Sequence, residues 1–173
     1  MPWSSGAALM LLVTTLLLGC GGGGGPDRSV TLQAVQCDSG NQWANTTSIA
    51  GARIPDNGTG SVTVSWNNQN CPLQSIATVT VDICLAHTRP ADLAWTLTPP
   101  GGASAIPLSA PARWNETGTS CDAGQGRRQS IPLPASLPPG APAQGLWTVQ
   151  VSDRNPGDEG AWVQWRVQLA GYN

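Results

Sequence analysis

An alternating stretch at residues 75–100 constrains the fold of this chain most strongly. In its first part Val79, Val81 and Ile83 share one parity, and polar residues take the other. Period-two alternation with β-branched residues is typical of a half-buried strand. The alternation restarts at residues 93–98, after a break that holds a proline, which cannot donate to a central ladder. We therefore predict two strands, joined as a β-arch or as a hairpin in an antiparallel sheet.

Further short strands are expected along the rest of the chain, because alternation recurs between turn signals. The segments with this pattern are residues 29–36, 62–66, 146–152 and 161–170, with irregular or extended segments at 111–128 and 130–144. No helical periodicity of useful length is present after residue 28. The pattern predicts an all-β fold, an antiparallel β-sandwich of the jelly-roll type, for residues 29–173 as a single domain.

The amino-terminal residues predict processing rather than fold. The apolar run at residues 7–18 is too short for an ordinary transmembrane helix. The sequence Leu18-Gly19-Cys20 resembles the end of a bacterial lipobox. We therefore expect a signal peptide at 1–19, a lipidated Cys20 with a glycine-rich tether at 20–28, and anchoring in the bacterial cell envelope. The alternative is a simple signal peptide in which Cys20 is incidental.

Composition narrows the range of partners. The chain has 8 Lys and Arg residues against 10 Asp and Glu, so no basic patch suggests nucleic acid. It also has 8 Trp and no Phe, which leaves Trp to supply the large core side chains.

The four cysteines beyond Cys20 predict two disulfides, because an exported chain experiences an oxidising environment. They are Cys37, Cys71, Cys84 and Cys121, and they allow three connectivities. Cys84 has the parity of the non-core strand face, within reach of a loop cysteine. This favours Cys84–Cys121 with Cys37–Cys71.

Two sequence blocks carry a family resemblance. The residues that match its pattern are His87, Thr88, Asp92, Leu93, Gly145, Trp147, Asp153, Asp158, Gly160 and Trp165. In this order they resemble the P/Homo B domain of kexin- and furin-type proprotein convertases and of bacterial subtilisin-like proteases. The resemblance implies a P-domain, galactose-binding-like sandwich in which these residues are structural. It also implies an association with serine-type endopeptidases and proteolysis.

Catalysis by this chain is not expected. His87 is its single histidine, and no nucleophile motif accompanies it. A structural histidine under the turn is favoured over a general base, which needs a geometric partner. In the resembling proteins the protease domain is a separate and longer unit, so we expect this chain to be no enzyme.

Three aspartates allow two interpretations. Asp92, Asp153 and Asp158 either cap turns through backbone N–H groups or contribute to a Ca²⁺ site. Turn capping is favoured because Ca²⁺ needs six or more ligands. No cofactor is therefore expected.

Trp162 is the candidate binding residue. It lies three positions before Trp165, so on a regular strand the two face opposite ways. Trp165 shares the core parity of Val167 and Leu169, which places Trp162 outward. It then either binds a sugar or peptide or is covered by a loop.

Two functions from different classes follow. The first is a non-catalytic, lipid-anchored surface module that binds or stabilises a protein partner, such as a subtilisin-like protease in trans. The second is a glycan- or peptide-binding, adhesive surface domain with no link to a protease.

Overall fold

The computed structural model describes residues 32–45, 51–58, 60–121, 126–133, 137 and 141–173. The predicted signal peptide, Cys20 and the tether lie outside these ranges. Within the described ranges, no helix has the length and apolar character needed to cross a bilayer.

The described residues form strands of 2 to 13 residues with little helix, and the alternation predicted this all-β character. In chain order they are β1 Ala34–Asp38, β2 Gln42–Trp43, β3 Ala52–Arg53, β4 Val62–Asn68, β5 Ser75–His87, β6 Leu93–Thr98, β7 Ile106–Leu108, α1 Trp114–Thr117, β8 Thr119–Ser120, β9 Arg127–Pro132, β10 Gly145–Asp153 and β11 Gly160–Tyr172. A 3₁₀ turn at Pro90–Asp92 separates β5 from β6.

These strands form two antiparallel sheets. The seven-stranded sheet has the order β1-β11-β5-β9-β8, and β2 and β3 also pair with β11. The four-stranded sheet has the order β4-β10-β6-β7. Inward residues of both sheets share one buried cluster, which confirms the all-β sandwich.

The stretch at residues 75–100 is an arch and not a hairpin. Strand β5 belongs to the seven-stranded sheet and β6 to the four-stranded one, so the chain crosses the sandwich between them. The crossing occurs at the 3₁₀ turn, where Pro90 is buried. Because the ring of Pro90 has no N–H to satisfy, the chain can leave the ladder of β5 at this point.

Three indole rings join the two sheets at the centre of the core. Trp95 of β6 stacks on Trp114 with centroids 6.0 Å apart and meets Trp162 of β11 edge-on at 5.0 Å. The indole N–H of Trp114 donates to the carbonyl of Arg127 at 2.8 Å. Tryptophan side chains therefore supply the contact between the two sheets at this point, in keeping with the tryptophan-rich composition.

The outward placement of Trp162 is wrong. Its side chain is 0% exposed, and its indole N–H donates to the carbonyl of Gln164 at 2.9 Å. The cause is a β-bulge: Trp162 pairs with Leu85 and Gln164 with the next residue, Cys84. Val163 is the extra residue, so the parity changes and both Trp162 and Trp165 reach the core.

The segment at residues 111–128, predicted as an irregular loop, also contains regular structure. Trp114 begins α1, and Arg127 and Arg128 belong to β9, which pairs with β5. The sequence pattern did not predict β9, because this strand is polar on one side and continues into a proline-rich segment.

Both disulfides have the connectivity that the sequence favoured. Cys37 of β1 bonds to Cys71, and Cys84 of β5 bonds to Cys121. Cys84 reaches its partner on the side of β5 that faces away from the core, where Val163 packs against the bridge.

Candidate functional site: the motif corner and the two outer faces

Five of the motif residues meet at one end of the sandwich, and we call this set the motif corner: His87, Thr88, Asp92, Asp153 and Asp158. His87 ends β5, Asp92 precedes β6 and Asp153 ends β10. Asp158 and the start of β11 complete the group. Two stretches that are distant in sequence, residues 87–92 and residues 153–160, are therefore tied together here.

His87 and Asp153 form a buried pair within the motif corner. His87 Nδ1 accepts the backbone N–H of Arg89 at 3.1 Å, which leaves the proton of a neutral ring on Nε2. His87 Nε2 lies 3.3 Å from Asp153 Oδ2, and the side chains are 0% and 1% exposed. The imidazole and the carboxylate are therefore in contact, although the two groups are not aligned as a hydrogen bond.

The remaining contacts of the motif corner fix its turns. Asp153 Oδ1 accepts the N–H of Asn155 at 3.1 Å. Asp158 Oδ1 accepts the hydroxyl of Thr88 at 2.8 Å, and the backbone of Asp92 accepts the N–H of Arg154 at 3.1 Å. Of the three aspartates, Asp153 therefore caps a turn through a backbone N–H group, whereas Asp158 accepts from a side-chain hydroxyl.

Gly160 allows β11 to approach His87. A Cβ atom at Gly160 would lie 2.3 Å from His87 Cδ2 and 2.5 Å from the carbonyl oxygen of Ala86. No rotamer change relieves a contact with backbone. Glycine is therefore required by the close approach of two strands.

Asp92 differs from the other two aspartates. Its Oδ2 is buried without a hydrogen-bond partner. Across the described residues, no group of three or more His, Cys, Asp or Glu side chains is arranged to hold a metal ion. The Ca²⁺ interpretation therefore has no ligand cluster in this part of the chain.

A cleft of about 530 Å³ opens beside the motif corner. Arg53, Pro55, Asp56, Asn57 and Pro156 line it. The turn at Asp56 and Asn57, which lines the cleft, is tied to the motif corner, because the backbone N–H of Gly58 donates to the backbone carbonyl of Asp153 at 2.6 Å.

The outer surface of the four-stranded sheet carries no charge, and we call it the hydroxyl face. The outward residues on β4, β10, β6 and β7 are Thr63, Ser65, Asn67, Leu146, Thr148, Gln150, Ser152, Ala94, Thr96, Thr98 and Pro107. Ser65 and Thr148 share a hydroxyl–hydroxyl bond of 3.3 Å. Gln150 Nε2 donates to Thr63 Oγ1 at 3.4 Å and to Ser61 Oγ, just before β4, at 2.7 Å.

The outer surface of the seven-stranded sheet is different, and we call it the charged face: Asp38, Trp43, Asp82, Arg128, Gln164 and Arg166. Arg166 Nε donates to both carboxylate oxygens of Asp38, at 2.8 and 2.9 Å. Asp82 is opposite Arg166 across the strand pair and accepts the hydroxyl of Ser130.

These contacts shift two pKa values. Burial raises the pKa of Asp38, but hydrogen bonds from Arg166 and the N–H of Gly40, with the charge of Arg166, outweigh it. The pKa of Asp38 therefore lies below its ordinary value. The hydrogen bond to Asp38 raises the pKa of Arg166, while burial lowers it less strongly. The pair is charged over the whole physiological range.

The comparison with known families bears on the segment that contains the motif corner. The family model of the proprotein convertase P-domain matches residues 76–169. This range covers more than half of the chain.

The chain belongs to the proprotein convertase P-domain family.

Solved structures agree with this fold. The serine protease of Aeromonas sobria in complex with its chaperone has a TM-score of 0.58 at 20% identity, covering 80% of this chain and 27% of that chain. The serine protease of Aeromonas sobria by itself also has a TM-score of 0.58 at 20% identity, covering 84% and 28%. This P domain thus spans little more than a quarter of those proteases. A search of curated proteins gives no match.

Family membership makes this a protease-associated, non-catalytic domain. The geometry of the motif corner fits such a role. A general base must reach its substrate, whereas the imidazole of His87 is enclosed. The pair formed by His87 and Asp153 joins the end of β5 to the end of β10.

The other motif residues of the P domain build its core. Leu93, Trp147 and Trp165 are buried, and the indole of Trp147 donates to the carbonyl of Ala143 at 3.0 Å. Gly145 has a φ of 124°, in the region that favours glycine.

Sequence reasoning missed Trp43, which is an exposed aromatic residue of this P domain. Its strand has only two residues, too few for a period to be recognised. Trp162 was predicted to face outward instead, because its strand parity was counted without the bulge at Val163.

Proposed function

We propose that this P domain is a lipid-anchored, non-catalytic module that docks a subtilisin-like serine protease in trans through its hydroxyl face. The observation that carries the proposal is the absence of charge at every outward position of β4, β10, β6 and β7. The cores of protein interfaces are depleted of charged residues.

Docking on this face has a modest desolvation cost. The hydroxyls of Ser65 and Thr148 already bond to each other, and the amide of Gln150 already donates to the hydroxyls of Ser61 and Thr63. Buried polar groups are costly mainly when they lose partners. Leu146, which is 55% exposed, supplies an apolar anchor at the end of β10.

The non-catalytic part of the proposal rests on the single histidine. A Ser-His-Asp triad needs an imidazole that touches both its nucleophile and its substrate. His87 is the one histidine of the chain, and it is enclosed with Asp153. Catalysis is therefore assigned to the partner protease.

Anchoring is assigned to Cys20. Diacylation at this residue would hold the domain at the membrane of the cell envelope, with the glycine-rich residues 21–28 as the tether. Mass spectrometry of detergent-extracted protein should find acylated Cys20 as the first residue. A chain that retains Leu18-Gly19-Cys20 unmodified would refute the anchor.

The docking test compares two matched threonines. Both are exposed on strands, Thr63 on the hydroxyl face and Thr78 on the outer side of β5. Tagged wild-type, Thr63→Arg and Thr78→Arg proteins are used to capture partners from the native envelope, with identification by mass spectrometry.

We expect the wild type and Thr78→Arg to recover a subtilisin-like protease at similar yield, and Thr63→Arg to lose most of it. A buried, unpaired guanidinium is strongly unfavourable at an interface core. Equal recovery by both variants would refute docking by the hydroxyl face, and no protease with the wild type would refute the protease partner.

A further inference from the structure

The end of the sandwich opposite the motif corner carries no charged side chain among its described residues, and we call it the tether end. Strand directions bring its segments together. Strand β10 begins here and ends at Asp153 in the motif corner, whereas β11 begins at Gly160, beside His87, and ends here. The described residues of the tether end are 32–34, 69–75, 99–105, 141–146 and 170–173, and none of them is Asp, Glu, Lys, Arg or His.

The charged side chains of the described residues lie on the charged face or at the opposite end of the sandwich. That opposite end contains the motif corner, the start of β9 and helix α1, whose Asn115 donates to the carbonyl of His87 at 3.1 Å. Its charged residues are Arg53, Asp56, Arg89, Asp92, Arg113, Glu116, Arg127, Asp153, Arg154, Asp158 and Glu159. The domain is therefore polarised along its strands, with one charged end and one uncharged end.

Exposed apolar side chains are concentrated at the tether end. Leu32 is 58% exposed and Tyr172 is 44% exposed. Tyr172 pairs with Ala34, so Leu32, two residues earlier, takes the diagonal position to Tyr172. Leu146 lies at the same end, at the start of β10. Of the four large apolar side chains that are exposed among the described residues, Trp43 alone lies elsewhere.

The chain enters the described structure at the tether end, because Leu32 is its first described residue. Residues 21–31 separate Leu32 from Cys20, and even when fully extended they span about 40 Å at most. Strand β5, with 13 residues, already spans about 40 Å between the two ends of the sandwich. An anchor at Cys20 therefore keeps the tether end near the membrane, whereas the motif corner could reach it only if the tether followed the whole length of the domain.

We propose that the tether end rests on the bilayer that holds the anchor, with Leu32 and Tyr172 at the level of the lipid headgroups and the motif corner directed away from the membrane. The proposal depends on the anchor at Cys20 from the proposed function and adds the orientation of the domain. The contact is apolar and not electrostatic, because no described residue of the tether end offers a cation to an anionic headgroup.

The chemistry of the two ends favours this orientation. Tyrosine suits the interface between membrane and water, since its ring is apolar and its hydroxyl stays hydrated. Charged groups lose hydration near lipid at a high cost, which disfavours the opposite end. The anchor also makes the contact effectively intramolecular, so a few apolar side chains are sufficient. The hydroxyl face lies along the side of the sandwich and stays open to a protease.

Spin-label accessibility on vesicles tests the orientation. The mature chain from Cys20 to Asn173 is coupled through the Cys20 thiol to a maleimide lipid in phosphatidylcholine vesicles, while the other four cysteines remain in their disulfides. A nitroxide on a keto-bearing amino acid replaces Tyr172, Ser75 or Arg89 in separate samples. Ser75 pairs with Tyr172, and Arg89 is 72% exposed beside the motif corner.

We expect coupling to increase the exposure of the labels at Tyr172 and Ser75 to oxygen, which concentrates in lipid, and to decrease their exposure to a water-soluble nickel complex. The label at Arg89 should change in neither respect. Leu32→Asp should remove most of the change at Tyr172, because a carboxylate keeps its hydration. Trp43→Asp is the matched control, an exposed apolar side chain of the same sheet outside the tether end, and should leave the change intact.

Thermal unfolding verifies that each labelled chain is folded, and the labels at two positions of the tether end give independent readings. Unchanged accessibility at Tyr172 and Ser75, lipid exposure at Arg89, or a change that persists in Leu32→Asp would overturn the proposal. A change seen only with anionic phosphatidylglycerol would also overturn it. Because the maleimide lipid supplies the anchor, failure here refutes the orientation, whereas an unacylated Cys20 in the native envelope refutes the anchor.

Discussion

The two outer faces of the sandwich are built from the same kind of strand but present opposite chemistry. The charged face contains an arginine between two carboxylates, and both disulfides attach to strands of its sheet. The hydroxyl face has only uncharged groups, and its sheet carries no cysteine among the described residues. The comparison indicates that the seven-stranded sheet is the constrained platform and the four-stranded sheet the surface suited to burial.

The largest expected effect concerns the contact that joins the two sheets. Trp162→Ala should lower the free energy of unfolding by about 3–5 kcal/mol, because it leaves a cavity against Trp95. Chemical denaturation measures the change. Trp43→Ala, outside the core, is the control and should cost less than about 0.5 kcal/mol. If Trp162→Ala and Trp43→Ala lowered the free energy of unfolding by equally small amounts, Trp162 would not be in the core and the bulge in β11 would be absent.

Removal of one disulfide tests the constraint on the seven-stranded sheet. The double change Cys84→Ser with Cys121→Ser opens a loop with a sequence separation of 37. We expect a loss of about 4 kcal/mol in unfolding free energy, since the cross-link restricts the unfolded chain. Hydrogen exchange should accelerate more in β9 than in β4, and uniform acceleration would contradict the difference between the sheets.

The ion pair between Asp38 and Arg166 on the charged face should make the free energy of unfolding decrease at acidic pH. The pKa of Asp38 is lowered in the folded state, so its contribution is complete above the unfolded pKa of about 4 and is lost as the pH falls through the folded value. Asp38→Asn should remove this dependence and cost about 1 kcal/mol at pH 7.

The control for the ion pair is Glu116→Gln. Glu116 is exposed and its partner, Arg113, lies one turn away in sequence, so the free energy of unfolding should hardly change. Denaturation at pH 3, 5 and 7 compares the variants. An acid dependence that persists in Asp38→Asn would assign it to other carboxylates.

The smallest effects are expected from the two threonine variants used for docking. Thr63→Arg and Thr78→Arg should each change the free energy of unfolding by less than about 0.5 kcal/mol, because both side chains are exposed. Thermal unfolding checks this. A larger loss in Thr63→Arg would mean that the hydroxyl pairs on that face contribute to stability and not only to binding.

Much of the framework could be predicted from local pattern. Alternation located β5, β6, β10 and β11, because burial of one sheet face imposes a period of two. The parity of Cys84 also favoured its pairing with Cys121, since a residue on the non-core side is accessible to a loop. These predictions depend on neighbours in sequence, which is why they needed no structure.

The geometry of the motif corner could not be predicted from local sequence pattern. Its aspartates were identified, but the pairing of His87 with Asp153 depends on the meeting of two sheets. Likewise, β9 was hidden within a polar segment until its pairing with β5 was known.

The sequence by itself determined that the chain is an all-β sandwich of the P-domain family, which residues β6 buries, and that its cysteines suit two bridges. Only the tertiary structure decided which tryptophan is exposed. The bulge at Val163 adds one residue to β11 and reverses the parity, so Trp162 is buried. The position of Trp43 could be assigned only from the structure. Its strand, β2, pairs with a strand more than a hundred residues later in the chain, and local sequence pattern does not indicate such pairing.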